Sequence, residues 1–163
     1  MQVKHVMSPN PIVVKPHTTV GEIVRLITTH RIGSVPVVDE TGTLVGLITE
    51  TDLFLRAKVA PLSVVRAPNL MGEWVDPGML EKAYRDCRHR AARQIMTRRV
   101  ITIDAETEVG EAARLMMENG RKHLPVTRRG RLVGMLTRHD ILRALCRSQF
   151  PAAEPEIETP MAS

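Results

Sequence analysis

Two stretches of this sequence carry side chains able to hold a small anionic ligand: Gly46-Leu47-Ile48-Thr49-Glu50-Thr51-Asp52 and Gly134-Met135-Leu136-Thr137-Arg138-His139-Asp140. Each follows a short apolar run, residues 44–48 or 132–136, and leads into an apolar pattern through 53–55 or 141–145. Each therefore marks a point where a strand runs into a helix. A helix N-terminus presents free N–H groups and a partial positive charge of about half an electron, which suits phosphate. An ionised aspartate in the first turn can accept hydrogen bonds from both hydroxyls of a ribose, and a threonine hydroxyl can donate to a phosphate oxygen. Thr-x-x-Asp is also close to a capping box, in which the threonine oxygen accepts from the N–H three residues on and the carboxylate reaches back. Thr49 with Asp52, and Thr137 with Asp140, fit that box for stability alone. Thr51 is not required by a cap and tips the first stretch toward a ligand, whereas the second stretch has His139 in its place. A protonated imidazole there, or the neighbouring Arg138, can still meet a phosphate.

The two stretches belong to a repeat. Met7, Ile12, Thr18, Val20, Gly21, Glu22, Arg25, Leu26, Pro36 and Val37 recur 89 positions on as Met96, Ile101, Thr107, Val109, Gly110, Glu111, Arg114, Leu115, Pro125 and Val126. After a one-residue deletion the offset becomes 88 and matches Gly42, Leu44, Val45, Gly46, Thr49 and Asp52 to Gly130, Leu132, Val133, Gly134, Thr137 and Asp140. Within each copy, β-branched residues 11–14 or 100–103 predict a short strand. Val20, Ile23, Val24 and Ile27, like Val109, Ala112, Ala113 and Met116, recur at the spacing of a half-buried helix, with Thr18 or Thr19, and Thr107, as candidate caps. Residues 35–38 with 44–48, and 124–127 with 132–136, predict a hairpin, and a second helix starts at Thr49 or Thr137. Each copy thus reads β-α-β-β-α, with residues 1–57 forming the first unit and 95–149 the second. Between them, residues 58–72 read as irregular, and Asp76-Pro77 as the cap and first turn of a basic linker helix ending near Gln94. Residues 150–163, with three prolines and an acidic balance, read as a disordered tail.

Composition narrows the function classes. The 163 residues are 43% hydrophobic and 25% charged, but Phe54, Trp74, Tyr84 and Phe150 are the only aromatics, so the core is aliphatic and methionine fills its gaps. Trp74 suits an interface anchor and a cover for the linker equally well. No apolar run reaches the roughly 20 residues of a membrane span, no signal peptide is evident, and Cys87 and Cys146 lie far apart. These features predict a cytoplasmic protein with reduced thiols and no membrane contact. The net charge of +5 favours anionic ligands modestly. The basic series Lys82, Arg85, Arg88, Arg90, Arg93, Arg98 and Arg99 reads first as a solvated face, and second as a contact for nucleic acid or for the phosphates of a multiply charged nucleotide. His5, His17, His30, His89, His123 and His139 show no metal-ligand spacing, and no nucleophile-elbow, P-loop or dinucleotide fingerprint is present. Gly46 and Gly134 read as strand ends or sites of close packing.

The early Met7-Ser8 or Met96-Thr97, the strands Ser34-Val35-Pro36-Val37-Val38 or His123-Leu124-Pro125-Val126-Thr127, and the Gly-h-h-Thr-x-x-Asp close, twice over, resemble the cystathionine β-synthase (CBS) domain pair. The resemblance covers roughly residues 3–57 and 92–147. It implies an α/β fold of two pseudo-twofold-related β-α-β-β-α units packed through their sheets, with an extra linker helix and two clefts between the repeats. It further implies that the clefts bind an adenine nucleotide or other adenosyl ligand (AMP, ADP, ATP or S-adenosylmethionine), that the protein homodimerises, and that it regulates a partner protein. Carried over residue by residue, Asp52 would take the ribose, Thr51 the phosphate, and Ile12, Val13, Val35, Pro36 and Ile48 the base, with Ser34 and Thr49 beside them. A second, weaker site would use Ile101, His123, Pro125, Thr137, Arg138, His139 and Asp140. No catalytic residue, metal or required cofactor is expected. Two alternatives stay open: a structural dimerisation module whose motifs only cap helices, and, behind it, a nucleic-acid-binding protein.

Overall fold

The structure, a computed structural model, describes residues 1–55, 82 and 84–149. The linker at 58–72, Trp74, the Asp76-Pro77 cap and the tail at 150–163 lie outside the described residues. A 3-10 turn, Val3–His5, and strand β1, Ser8–Pro9, precede helix α1, Val20–His30. The hairpin of β2, Ser34–Val38, and β3, Leu44–Thr49, leads into α2, Glu50–Leu55. Helix α3, Ala92–Ile95, and strand β4, Ile103–Asp104, open the second copy. It continues with α4, Val109–Glu118, β5, His123–Arg128, β6, Arg131–Thr137, and α5, Arg138–Gln149. Two sheets result, ordered β1-β6-β5-β4 and β2-β3.

The sheets are the same object in two degrees of completeness. Val14 bridges Val37 in parallel and Thr97 bridges Leu47 antiparallel, which gives the smaller sheet the flanks that β4 and β1 give the larger one. β1 comes from the first copy but pairs with the second copy's hairpin, Ser8 with Met135 and Pro9 with Gly134. The segment leading each copy is thus built into the other.

Both ends of these segments obey the exchange. Val20 and Gly21, at the start of α1, donate their N–H groups to the carbonyls of Arg90 and Arg88. Val109, at the start of α4, donates to the carbonyl of Met1. A helix start leaves four N–H groups unsatisfied, and here the opposite copy's backbone supplies acceptors. The apolar side chains follow: Cys87, Ala92, Ile95 and Met96 sit in one core with Val20, Ile23, Ile27, Val35 and Ile48. Val3, fully buried, sits in the other with Val109, Ala112, Met116, Leu124 and Leu136. Core boundaries therefore do not coincide with repeat boundaries.

Three local expectations change. The linker helix does not run to Gln94: residues 84–87 are helical, 88–90 form a turn, and α3 is separate. The carbonyls of Arg88 and Arg90 are spent on α1, so they cannot continue the helical ladder. Thr107 does not cap α4; Glu108 holds the cap position without a side-chain capping bond, its carboxylate accepting from the Met1 ammonium at 2.7 Å instead, and Thr107 uses its carbonyl to accept from Val3 N–H. Thr19 does cap α1, in a closed box with Glu22, while the Thr18 hydroxyl accepts from Lys15 N–H at 3.0 Å. Of the early β-branched runs, Val14 makes a bridge and Ile103 begins β4; residues 11–13 carry no ladder.

Candidate functional site

The end of β3 turns into α2 at Thr49, where the cap is closed in both directions. Asp52 Oδ2 accepts from Thr49 N–H and from Thr49 Oγ1, both at 2.9 Å, while Asp52 N–H faces Thr49 Oγ1 at 3.4 Å. The second copy repeats the pattern, with Asp140 Oδ2 accepting from Thr137 N–H at 2.8 Å and from Thr137 Oγ1 at 2.7 Å. Both aspartates are buried. Burying a carboxylate is costly unless hydrogen bonds compensate it, and these bonds do so. The other Asp52 oxygen, Oδ1, lies 3.4 Å from the hydroxyl of Thr97, a residue of the opposite copy.

That contact belongs to a cleft of about 340 Å³ between the copies. One wall is Gly33, Leu47, Thr49, Glu50, Thr51 and Asp52; the other is Thr97, Arg99, Val100, Ile101, Gly120, Arg121, Lys122 and His123. Thr97 is held against the first wall by a reciprocal pair of backbone bonds with Leu47, at 2.9 and 3.0 Å. Met96, one residue earlier, packs over Gly46 so closely that a Cβ there would sit 2.5 Å from the Met96 sulfur. Gly134 and Met7 make the corresponding contact in the other half, again at 2.5 Å. The two repeated glycines thus serve close packing, and the repeated methionines are what they pack against.

The cleft gathers the expected residues differently from their order in the chain. Thr49, Thr51 and Asp52 line it, but the apolar and imidazole groups facing them are Ile101 and His123, which had been assigned to the second site. Ile12, Val13, Val35, Pro36 and Ile48 do not line it. Val35, Pro36 and Ile48 are fully buried, and Val13 is exposed on a separate shallow surface with Lys15 and Arg25. Ser34 is buried where it pairs with Thr49 across the hairpin. The physical reason is the exchange of leading segments, since Thr97–Ile101 is delivered by the β1-like flank to the opposite hairpin. The repeat relates Ile101 to Ile12 and His123 to Ser34, and His123 pairs with Thr137 across its hairpin as Ser34 does with Thr49.

The remaining residues expected at the second site lie apart from this cleft. Arg138, exposed, donates its Nε–H to the Arg121 carbonyl at 3.1 Å, which ties the loop before β5 to the start of α5. Pro125 lies inside β5, opposite Met135. His139 is exposed, and neither it nor Thr137, Arg138, Asp140 or Pro125 lines the cleft that holds Asp52.

Glu50, Arg99, Val100, Gly120, Arg121 and Lys122 were missed by sequence reasoning. Their types gave some signal, Arg99 as part of the basic series and Arg121-Lys122 directly before His123. What was missing was the knowledge of which copy faces which. His123 is half-buried against Gly33, where a Cβ would meet its Nε2 at 2.8 Å. Burial holds its pKa below the ordinary imidazole value of 6.5; Lys122 pushes the same way, and Glu50 and Asp140 push back. Among the described residues, no group of three His, Cys, Asp or Glu side chains could hold a metal ion. No helix among them is long and apolar enough to cross a membrane.

The family pattern described as the CBS domain matches residues 3–58 and 92–147, the two copies that build this cleft. The chain belongs to the CBS domain family. This CBS pair is 30% identical over 156 residues to the uncharacterized protein MJ1426 of Methanocaldococcus jannaschii, covering 89% of this chain and 91% of that one. It is 30% identical over 136 residues to the chloroplastic CBS domain-containing protein CBSX1 of Arabidopsis thaliana, covering 81% of this chain but 58% of that relative. Among solved structures it resembles CBSX2 in complex with AMP, with a TM-score of 0.67, 28% identity, and coverage of 91% of this chain and 98% of that one. It also resembles the CBS domain pair of MJ0100 in complex with 5′-methylthioadenosine and S-adenosyl-L-methionine, with a TM-score of 0.67, 26% identity, and coverage of 91% and 98%.

Proposed function

We propose that this CBS pair is a regulatory module that binds an adenine nucleotide or another adenosyl ligand in the cleft holding Thr51 and Asp52, and that occupancy is passed to a partner protein. The observation that carries the reading is the meeting of a capped carboxylate and an exposed hydroxyl from one copy with apolar and cationic groups from the other. Asp52 Oδ1 accepts the ribose hydroxyls beside Thr97, while Oδ2 keeps the cap. Leu47, Val100 and Ile101 flank the base, and Thr51 donates to the phosphate. The adenosyl ligands of CBSX2 and MJ0100 support the choice of ligand class.

Regulation follows from where the walls come from. A ligand touching both copies stabilises their docked arrangement by RT ln(1 + [L]/Kd), about 2.7 kcal/mol at a hundred times Kd. Met117 on α4, with Leu142 and Leu145 on α5, are large apolar side chains left exposed, and they offer a face for a second copy.

Calorimetric titration with AMP, ADP, ATP and S-adenosylmethionine tests the proposal. Binding should be lost in Asp52→Ala and kept in Thr49→Ala, which opens the same cap but spares the carboxylate. Absence of binding by every ligand, or undiminished binding by Asp52→Ala, overturns it. One observation favours a second reading, a structural dimerisation module: both Thr-x-x-Asp motifs are closed capping boxes that need no ligand. Blank titrations with sedimentation as a dimer would support that reading instead.

A further inference from the structure

Some exposed cations of this molecule stand in ion pairs, others, such as Arg129, Arg131, Arg143 and Arg147, stand unpaired among the described residues, and three of the unpaired ones share one cleft. Lys4 and Arg128 pair with Glu106, Lys15 with Glu40, and Arg114 with Glu118. Arg99, Arg121 and Lys122, all exposed, line the cleft, and among the described residues their side chains have no hydrogen-bond or ion-pair partner. The carboxylates of the same lining are Glu50 and Asp52, and Asp52 is already engaged with Thr49 and Thr97. At the positions related by the repeat, 89 residues earlier, stand Asn10, Ile32 and Gly33. The other half is built without any of the three cations, with a left-handed backbone at Asn10 (φ 50°) where Arg99 has none, so the repeated fold does not by itself demand Arg121 and Lys122.

Resting on the reading of this cleft as an adenosyl site, we propose that Arg99, Arg121 and Lys122 determine its specificity, favouring a nucleoside di- or triphosphate over a monophosphate and over the cationic sulfonium of S-adenosylmethionine. Thr51 and one cation suffice for a single phosphate; the remaining cations find partners when further phosphates extend across Gly120–Lys122. A sulfonium gains nothing from such a wall and is repelled by it. Each exposed cation–phosphate contact contributes a few-fold in affinity, so the two cations that a monophosphate leaves unused give about tenfold, and the advantage is screened by salt because the side chains face water.

The test is calorimetric titration of the full chain with AMP, ADP, ATP and S-adenosylmethionine at low and high salt, repeated on Arg99→Gln/Arg121→Gln/Lys122→Gln. ADP or ATP should bind about tenfold tighter than AMP, and S-adenosylmethionine should bind more weakly than AMP. That tenfold ratio should shrink at high salt and fall to near one in the triple variant, with AMP still bound. AMP or S-adenosylmethionine binding as tightly as ATP to the unaltered chain, or a ratio insensitive to salt, overturns the inference even if the variant fails to fold. In that outcome AMP binding lost in Asp52→Ala leaves the cleft assignment standing. Absence of binding by all four ligands removes both.

Discussion

Replacing Gly46 by alanine tests whether the exchanged segments hold the molecule together. The new Cβ would lie 2.5 Å from Met96 Sδ, 2.9 Å from its Cγ and 3.1 Å from its Cβ. Comfortable contacts between such atoms lie near 3.5–4 Å, so the overlap approaches 1 Å and extends down the side chain to atoms that a rotamer change at the tip cannot remove. Overpacking of this kind costs about 1–3 kcal/mol. Met96 is itself buried, and Met96→Ala leaves a cavity costing about 2–5 kcal/mol. In the double variant the alanine at 46 occupies space the methionine has vacated. The two losses should therefore fall short of their sum by at least about 1 kcal/mol. Urea unfolding of the four chains, followed by circular dichroism, measures that coupling. Additivity within about 0.5 kcal/mol would refute the reasoning, because it would mean that the segment at Met96 is not pressed on β3 in solution. A functional consequence accompanies the structural one. Thr97 follows Met96 and touches Asp52, so Gly46→Ala should also weaken adenosyl-ligand binding.

Three further outcomes are expected. Thr19→Ala should cost about 1 kcal/mol by opening its box with Glu22, whereas Thr107→Ala should lie within about 0.5 kcal/mol of the unaltered chain in the same urea assay, its hydroxyl capping nothing. Val3→Ala should cost about 2 kcal/mol, the value of two buried methyl groups and a small cavity, although Val3 lies at the edge of the sequence; a loss no larger than that of an exposed control would show that it is not in the second core. His123 is neutral over a wider acid range in the folded chain than in the unfolded one. As pH falls below 6.5 the unfolded chain therefore takes up the proton first, and stability declines until the lowered folded value is passed. His123→Gln should flatten that part of the pH–stability curve.

Much of the fold was legible because its determinants are local or collinear. The spacing of Val20, Ile23 and Ile27, all buried, predicted α1 and its inward face. The Thr-x-x-Asp boxes were readable because a cap joins residues three apart, and both close as drawn. The repeat announced two like units, and two like cores exist. The linker helix was overextended because its end is decided by a competing acceptor role: the Arg88 and Arg90 carbonyls serve Gly21 and Val20, nearly 70 residues earlier.

The site was half legible. Thr51 and Asp52 were identified from residue type and placement, and they do line a cleft. Sequence order pairs them with residues of their own copy, which holds only if each unit keeps its own leading segment. Instead Thr97 crosses to Leu47 and Ser8 to Met135, so each motif faces the other copy's early strand and loop.

By itself, then, the sequence determined the repeat, the order of elements, the Thr-x-x-Asp caps and the identity of the Gly and Met marks, because these follow from periodicity and from side chains a few residues apart. Tertiary structure alone decided that Gly46 meets Met96, that Ile101 and His123 join Asp52, and that Arg99, Arg121 and Lys122 gather in one cleft. The contacts of Met96, Ile101 and His123 with the first copy span 49 residues or more. They are chosen by which strand edges and helix ends find backbone partners when the two cores pack, and no local pattern carries that information.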